Sequence, residues 1–270
     1  MVDPFEKSRM EESMSKSKIL LAGESWVSTS THIKGFDQFN TAAYEIGAEA
    51  LLAVFEGTDT TIEHLPAHDV GRLFPMELEA LQHYDAVLLS DIGANSLLLH
   101  PDTWSKGKRT PNRLKLLREY VESGGGLAMI GGYYSFQGIN GAARYHGTPV
   151  EEILPVEILA WDDRIEVPEG FQPHLTGEAH PIVDGFTDQW PFLLGFNEVK
   201  PKLNTKVLAT VGQEYDHRPL IVVGSYGKGR TMVWTSDIGP HWLPEDFMNW
   251  EGYGRLWQQS FAWLAGSETN

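Results

Sequence analysis

GLAMIGGYYSFQG, residues 126–138, is the stretch on which the reading of this chain turns. Gly126-Leu127-Ala128-Met129-Ile130 is a short run of small and apolar residues, the composition of a fully buried strand. It breaks at Gly131-Gly132, and glycine is needed where a backbone takes unusual dihedrals or packs close to its neighbours. In α/β enzymes a strand ending in such a turn is a place where a nucleophile stands. The pattern G-x-S-x-G is not met, because Ser135 has Tyr133 two residues before it and Gln137 two after. Two readings therefore stand together: a turn whose Tyr133, Tyr134 and Phe136 pack or line a pocket, or an elbow whose Ser135 takes part in chemistry.

Outward from this strand the same rhythm recurs. Lys18 to Ala22 is a short apolar run closed by Gly23, and Phe36, Phe39, Ala43 and Ile46 have the spacing of a helix that stops at Gly47. Ala50 to Phe55 predicts a second strand, Pro75 to Gln82 a short helix, and Ala86 to Ser90 a third strand. Thr110 before Pro111 predicts a capped helix with Leu114, Leu117 and Val121 on one face and Gly124 as its stop. Strands alternating with helices imply a mainly parallel sheet covered on both faces, with its ligand site beyond the strands' carboxyl ends. Those ends are Gly23 to Trp26, Asp91 to Asn95 and Gly131 to Ser135.

Beyond residue 147 the rhythm changes. Thr148-Pro149-Val150-Glu151 predicts a capped short helix, and Pro155 to Pro201 is a proline-rich, aromatic excursion from the sheet. Strand signals return at Val207 to Val211. Leu220 to Val223 and Thr231 to Trp234 then flank Ser225-Tyr226-Gly227-Lys228-Gly229 as an antiparallel hairpin. The last helix carries Tyr253, Leu256, Trp257, Ser260, Phe261 and Leu264 as one broad buried stripe. Residues 1–15 show no periodicity and are expected to be a disordered extension or cloning remnant, leaving 16–270 as one domain.

Composition narrows the function. The 270 residues hold 21 Lys and Arg against 37 Asp and Glu, a formal charge of -16, which disfavours nucleic acid and anionic membranes as partners. No apolar run is long enough to span a bilayer, and the first residues lack the apolar core of a secretory signal, so a cytoplasmic protein is expected. There is no cysteine, which removes disulfides, thiolate metal sites and cysteine nucleophiles.

The run GGGLAMIGGYYSFQGINGAARYHGTPVEEILPVEI, residues 124–158, resembles the class I glutamine amidotransferase-like superfamily, in the branch known as putative glutamine amidotransferases. HPIVDGF at 180–186, GFNEVKP at 195–201 and GKGRTMVWTSDIGPHW at 227–242 resemble the same branch, so the likeness runs from about Lys18 to Gly266. It implies an α/β, flavodoxin-like three-layer sandwich with more distant kinship to ThuA-like proteins linked to sugar utilisation. Class I amidotransferases place a cysteine in the turn after this strand and a His-x-Glu pair near the domain's end. Here the cysteine position falls on Tyr133 or Tyr134, and Glu245 lies four residues beyond His241 rather than two. A phenol with a pKa near ~10 does not replace a thiolate attacking a carboxamide, so thiolate-dependent glutaminase activity is not expected.

The remaining polar residues define the candidate site. Asp237 and His241 are four apart in a loop after a strand, and the acid is placed to orient the imidazole as a base acting with Ser135 or a water. The competing reading has Asp237 capping its turn and His241 packed among tryptophans. Glu24, Trp26, Asp91, Tyr133, Tyr134 and Trp242, with Trp234 beside them, fall in or next to the converging loops. Aromatic faces with a few carboxylates suit a sugar or another polar ring, or equally an oligomer interface. Glu24, His32, Asp37, Asp91, Asp237 and His241 could ligate a metal, but no H-x-H, H-x-x-x-H or D-x-D spacing ties them together, and Pro66 separates His64 from His68. No metal or other cofactor is expected. The leading expectation is an amidotransferase-like protein binding a small polar, carbohydrate-related metabolite. Its rivals are a hydrolase or lyase using His241 and Asp237, and a non-catalytic homo-oligomeric subunit.

Overall fold

The computed structural model describes residues 17–266, so the extension expected at 1–15 lies outside the described residues. In chain order the strands are β1 (Ser17–Gly23), β2 (Ser25–Lys34), β3 (Asp37–Ile46), β4 (Thr60–Leu65), β5 (Ala86–Ser90), β6 (Gly126–Ile130) and β7 (Val156–Ile158). They continue with β8 (Arg164–Phe171), β9 (His174–Leu175), β10 (Leu193–Asn197), β11 (Val199–Pro201), β12 (Lys206–Thr210), β13 (Pro219–Tyr226) and β14 (Gly229–Trp234). The helices are α1 (Glu49–Val54), α2 (Ala67–Leu73), α3 (Leu78–Leu81), α4 (Ala94–Leu98), α5 (Pro101–Lys106), α6 (Arg113–Ser123), α7 (Pro149–Ile153), α8 (Glu245–Met248) and α9 (Glu251–Leu264).

The main sheet has the order β4-β1-β5-β6-β14-β13-β12-β9. Its first five strands are mutually parallel, and β13, β12 and β9 are added antiparallel through the hairpin expected around Gly227. Alternate residues of each central strand enter opposite cores, as a pleated strand covered on both faces requires. Ile19 and Leu21 of β1 pack with α1 and with Trp257 and Phe261 of α9, whereas Leu20 and Ala22 pack with Leu114, Leu117 and Val121 of α6. The fold is the three-layer α/β sandwich that the sequence implies.

Three elements differ from expectation. The apolar residues at 36–46 form no helix; with Ser25 to Lys34 they make the hairpin β2–β3, paired from Ser25↔Ile46 to Lys34↔Asp37. The deciding signal is the Val, Thr and Ile content of β2 together with a two-residue Gly35-Phe36 turn, in which Gly35 has φ 65°. Ala50 to Phe55 is helical rather than extended, since a short apolar run does not by itself distinguish a strand from a buried helix turn. The edge strand is instead β4, from the polar alternating sequence TTIEHL. Finally, α6 is capped by Asn112, whose Oδ1 accepts the Leu114 and Lys115 amides, rather than by Thr110.

Arg113 opens α6 with its side chain in the interior, 1% exposed. All its bonds go to main-chain carbonyls: Leu97 at 2.5 Å, Gly71 at 2.9 Å, Val70 at 3.1 Å, Phe74 at 3.3 Å and Ser96 at 3.4 Å. These carbonyls belong to or follow α2 and α4, where the last carbonyls of a helix lack intrahelical donors, although Val70 O also receives the Phe74 amide. One guanidinium thus ties two short helices to α6, and burial lowers its pKa to about 10. Arg113→Met should lower unfolding free energy by about 3 kcal/mol or more, since each buried acceptor left without a donor costs roughly 1–3 kcal/mol. Urea midpoints would measure this, and Arg113→Lys, with fewer donors in another geometry, should recover only part of it.

Candidate functional site

The ends of β1, β5, β6 and β14 meet at one edge of the sheet. Glu24 follows β1 with φ 49° and Asp91 follows β5 with φ 44°, left-handed conformations that cost a non-glycine residue on the order of 1–3 kcal/mol. The Glu24 amide donates to the Ser90 carbonyl at 2.8 Å, and the Asp91 amide donates to Ser135 Oγ at 3.2 Å. After β6, a Cβ at Gly131 would lie 2.2 Å from the Thr235 carbonyl oxygen, and one at Gly132, φ 137°, would lie 2.9 Å from Asp91 Oδ1. The glycine pair therefore brings β6, β14 and the Asp91 turn into contact.

Carboxyl groups dominate this edge. Glu24 is buried and accepts the Ser90 hydroxyl at 2.5 Å; burial, then the charges of Asp237 and Asp91, raises its pKa well above the carboxylate range. Asp91 is raised to about 6, first by burial and then by Asp237, against the Tyr134 amide that donates to its Oδ1 at 2.6 Å and the charge of His241. Asp237, also buried, receives the Ile238 amide on Oδ1 at 2.9 Å and faces His241 Nδ1 through Oδ2 at 3.1 Å.

His241 is 41% exposed and reaches the turn. Its ring meets Tyr133 edge-on at 4.1 Å between centroids and stacks on Trp242 at 5.2 Å. Burial draws the imidazole's pKa down, but the hydrogen bond and charge of Asp237, with Glu166 and Asp91, outweigh it and raise the pKa above 6.5. Beside His241 a cavity of about 600 Å³ is lined by Ala50, Pro240, Leu243, Pro244 and Met248 among others.

The excursion from Pro155 to Pro201 supplies residues that sequence reasoning missed. Asn197 is fully buried; its Oδ1 accepts the Gly132 amide at 3.0 Å, and its Nδ2 donates to the Gly132 carbonyl at 3.2 Å and to Asp163 Oδ1 at 2.8 Å. Asp163 also accepts the Gln137 and Gly138 amides at 2.8 and 2.9 Å, and burial raises its pKa to about 6 despite them. Arg164 lies 4.7 Å over the Tyr133 ring, and Glu166 accepts the Trp242 indole N–H at 2.9 Å. Burial and Glu166 raise the Tyr133 phenol, carrying it further from ionisation at neutral pH. The polar cluster Asp162-Asp163-Arg164 inside an aromatic segment, and Asn197 inside GFNEVKP, were the available signals.

Of the residues expected at the site, Glu24, Asp91, Tyr133, Asp237 and His241 are brought together. Trp26 borders them, since a Cβ at Gly47 would lie 3.0 Å from its ring and 2.3 Å from Glu24 Oε1. Tyr134 is 46% exposed, whereas Trp242 and Trp234 are buried and offer no free face. Ser135 is buried beneath the turn, with its Oγ accepting the Asp91 amide. His32 and Asp37 stand out on the β2–β3 hairpin.

A family model described as "Putative glutamine amidotransferase" matches residues 18–266. The chain belongs to this family. A cytoplasmic protein of Salmonella typhimurium is 40% identical, with a TM-score of 0.87 over 92% of this chain and 98% of its own. A second cytoplasmic protein, from Salmonella typhimurium LT2, is 42% identical, with a TM-score of 0.86 over 92% and 99%. A ThuA-like protein of Parabacteroides merdae, 14% identical, covers 94% of this chain and 92% of its own with a TM-score of 0.54, a likeness of fold alone. No curated protein matches the chain. Against this amidotransferase-like family, the absence of cysteine leaves Tyr133 and Tyr134 in the turn where the nucleophile is expected.

The dyad predicts a titration. The His241 imidazole should stay protonated as pH rises past 6.5 and lose its proton only at its raised pKa. In Asp237→Asn the charge is gone while burial remains, and the midpoint should fall below that of the wild type. The pH dependence of the His241 Hε1 proton in NMR spectra measures both.

Proposed function

We propose that this amidotransferase-like protein binds a small polar metabolite, carbohydrate-related in chemistry, at the carboxyl edge of its sheet and does not hydrolyse glutamine through a thiolate. The observation that carries this reading is the occupation of the turn's own amides. Gly132 N–H is bound by Asn197, Tyr134 N–H by Asp91, and Gln137 and Gly138 N–H by Asp163. Acyl transfer needs free donors where an oxyanion develops, and here internal oxygens already take them. Asp91 offers a carboxylate that accepts hydrogen bonds at neutral pH, beside the His241 imidazole, a pairing suited to hydroxyl-rich ligands. Tyr133 and Tyr134 retain ring surface for the apolar face of such a ligand. The two Salmonella relatives are cytoplasmic proteins, which supports a cytoplasmic site of action.

A thermal-shift screen of sugars, amino acids and nucleotides tests this. A polyol or sugar at a hundredfold excess over Kd should raise Tm by about 5 °C or more. The shift should vanish in Asp237→Asn. A screen with no shift for any ligand class sinks the reading, as does glutaminase turnover by the pure protein.

A second reading is favoured by the Asp237–His241 contact: a hydrolase or lyase in which the exposed imidazole activates a water. With Nδ1 facing Asp237, Nε2 remains to take a proton. Ser135 is a poorer partner, because its hydroxyl is buried against the Asp91 amide. Any turnover found should fall by roughly 10²-fold or more in His241→Ala and survive in Ser135→Ala. Activity unaffected by His241→Ala would remove this reading.

A further inference from the structure

The hairpin β2–β3 is exposed from Val27 to Ile46. Val27 is 57% exposed, Ile33 71% and the tip residue Phe36 fully. Its base is held to α2 by the Ala67 amide on Ser25 Oγ and by Tyr44 edge-on to His68, and a two-stranded ribbon uncovered beyond that is at best marginally stable in water. Strand β2 is bonded on one edge to β3, and among the described residues no strand pairs with its other edge. Proteins blunt such edges with charges, proline or bulges. β2 has no Asp, Glu, Lys, Arg or Pro between Ser25 and Ile33, and its ladder to β3 is unbroken over ten pairs.

We propose that the free edge of β2 pairs antiparallel with β2 of a second copy about a two-fold axis at Ser30, making a four-stranded sheet across the dimer. A two-fold interface sets each residue against its symmetry counterpart, so the sequence must complement itself. About Ser30 it does. Val27 falls opposite Ile33 of the second copy, Thr29 opposite Thr31, Ser28 opposite His32, and Trp26 opposite Lys34. These are apolar, hydroxyl and cation–aromatic pairs of the kind that stabilise neighbouring strands.

Self-complementarity selects a second copy as the occupant, and charge does not oppose it at this edge. The chain carries -16, so two bodies meeting face to face would oppose acidic surfaces, whereas this edge opposes no like charges. The same register brings Phe36 of each copy level with Glu24 of the other. The exposed tip thereby gains a surface to cover, and the acidic sheet edge of each copy gains a loop from the second subunit.

The test uses the full chain. Light scattering after size exclusion should give twice 30.2 kDa. Because the chain has no cysteine, Ser30→Cys introduces a single thiol at the axis and should form a covalent dimer on oxidation. Ser28→Cys, equally exposed but about 14 Å from its own counterpart in this register, should not. Ile33→Asp, at a position that tolerates charge in an isolated subunit, should halve the mass without changing the circular dichroism. A wild type monomeric up to its solubility limit overturns the proposal. So do equal cross-linking of the two cysteine variants and an Ile33→Asp protein that remains dimeric.

Discussion

The close approach of Gly131 to the end of β14 is the constraint on which the rest of the site depends. A side chain there would collide with the Thr235 carbonyl, and one at Gly132 with the Asp91 carboxylate. Any substitution would push β6 away from β14, and β14 leads directly to Asp237 and His241. The same approach sets Tyr133 against His241 and leaves the Gly132 amide to Asn197. One backbone contact thus fixes the separation of the turn, the dyad and the arm that clamps them. Left-handed backbone at Glu24 and Asp91 belongs to the same geometry, because both bends turn a strand end back toward this edge.

How far this was legible in the sequence depends on where the determining contacts lie. Strands β1, β5 and β6 could be read because each is an apolar run bounded by turn residues, and the C-terminal hairpin because its turn chemistry is local. The β2–β3 hairpin is where pattern and fold part: Phe36, Phe39, Ala43 and Ile46 match a helical period, but no core receives that face. Period alone carries information only when one face is buried. Ala50 to Phe55 differs for another reason, since a helix of six residues and a buried strand look alike at that length.

At the site, the residues directly after strands were found because sheet topology predicts where strand ends converge. Asp163, Asn197 and Glu166 were not, since their roles depend on how a segment with short, separate two-stranded pairings folds back over the turn. Tryptophan content misled in a smaller way. Trp234 ends β14 and Trp242 sits in the loop after it, yet their indole N–H groups bond to Asp237 and Glu166 and their faces are covered.

The acidic edge runs against stability. Glu24, Asp91 and Asp163 all have pKa values raised in the fold, chiefly by burial. A carboxyl with a raised folded pKa favours the native state fully only below its unfolded value near 3.8, and that contribution is lost as pH rises through about 6. At neutral pH these groups therefore weaken the fold, and hydrophobic packing on both faces of the sheet has to offset them. Apolar residues of similar size would remove the penalty if packing were their only role. The penalty gathers at one edge, beside a half-exposed histidine bonded to a buried acid, where selection for stability alone would have no reason to keep it. The carboxyls gathered there, beside a turn that has no thiol, are the physical ground of the proposed ligand site.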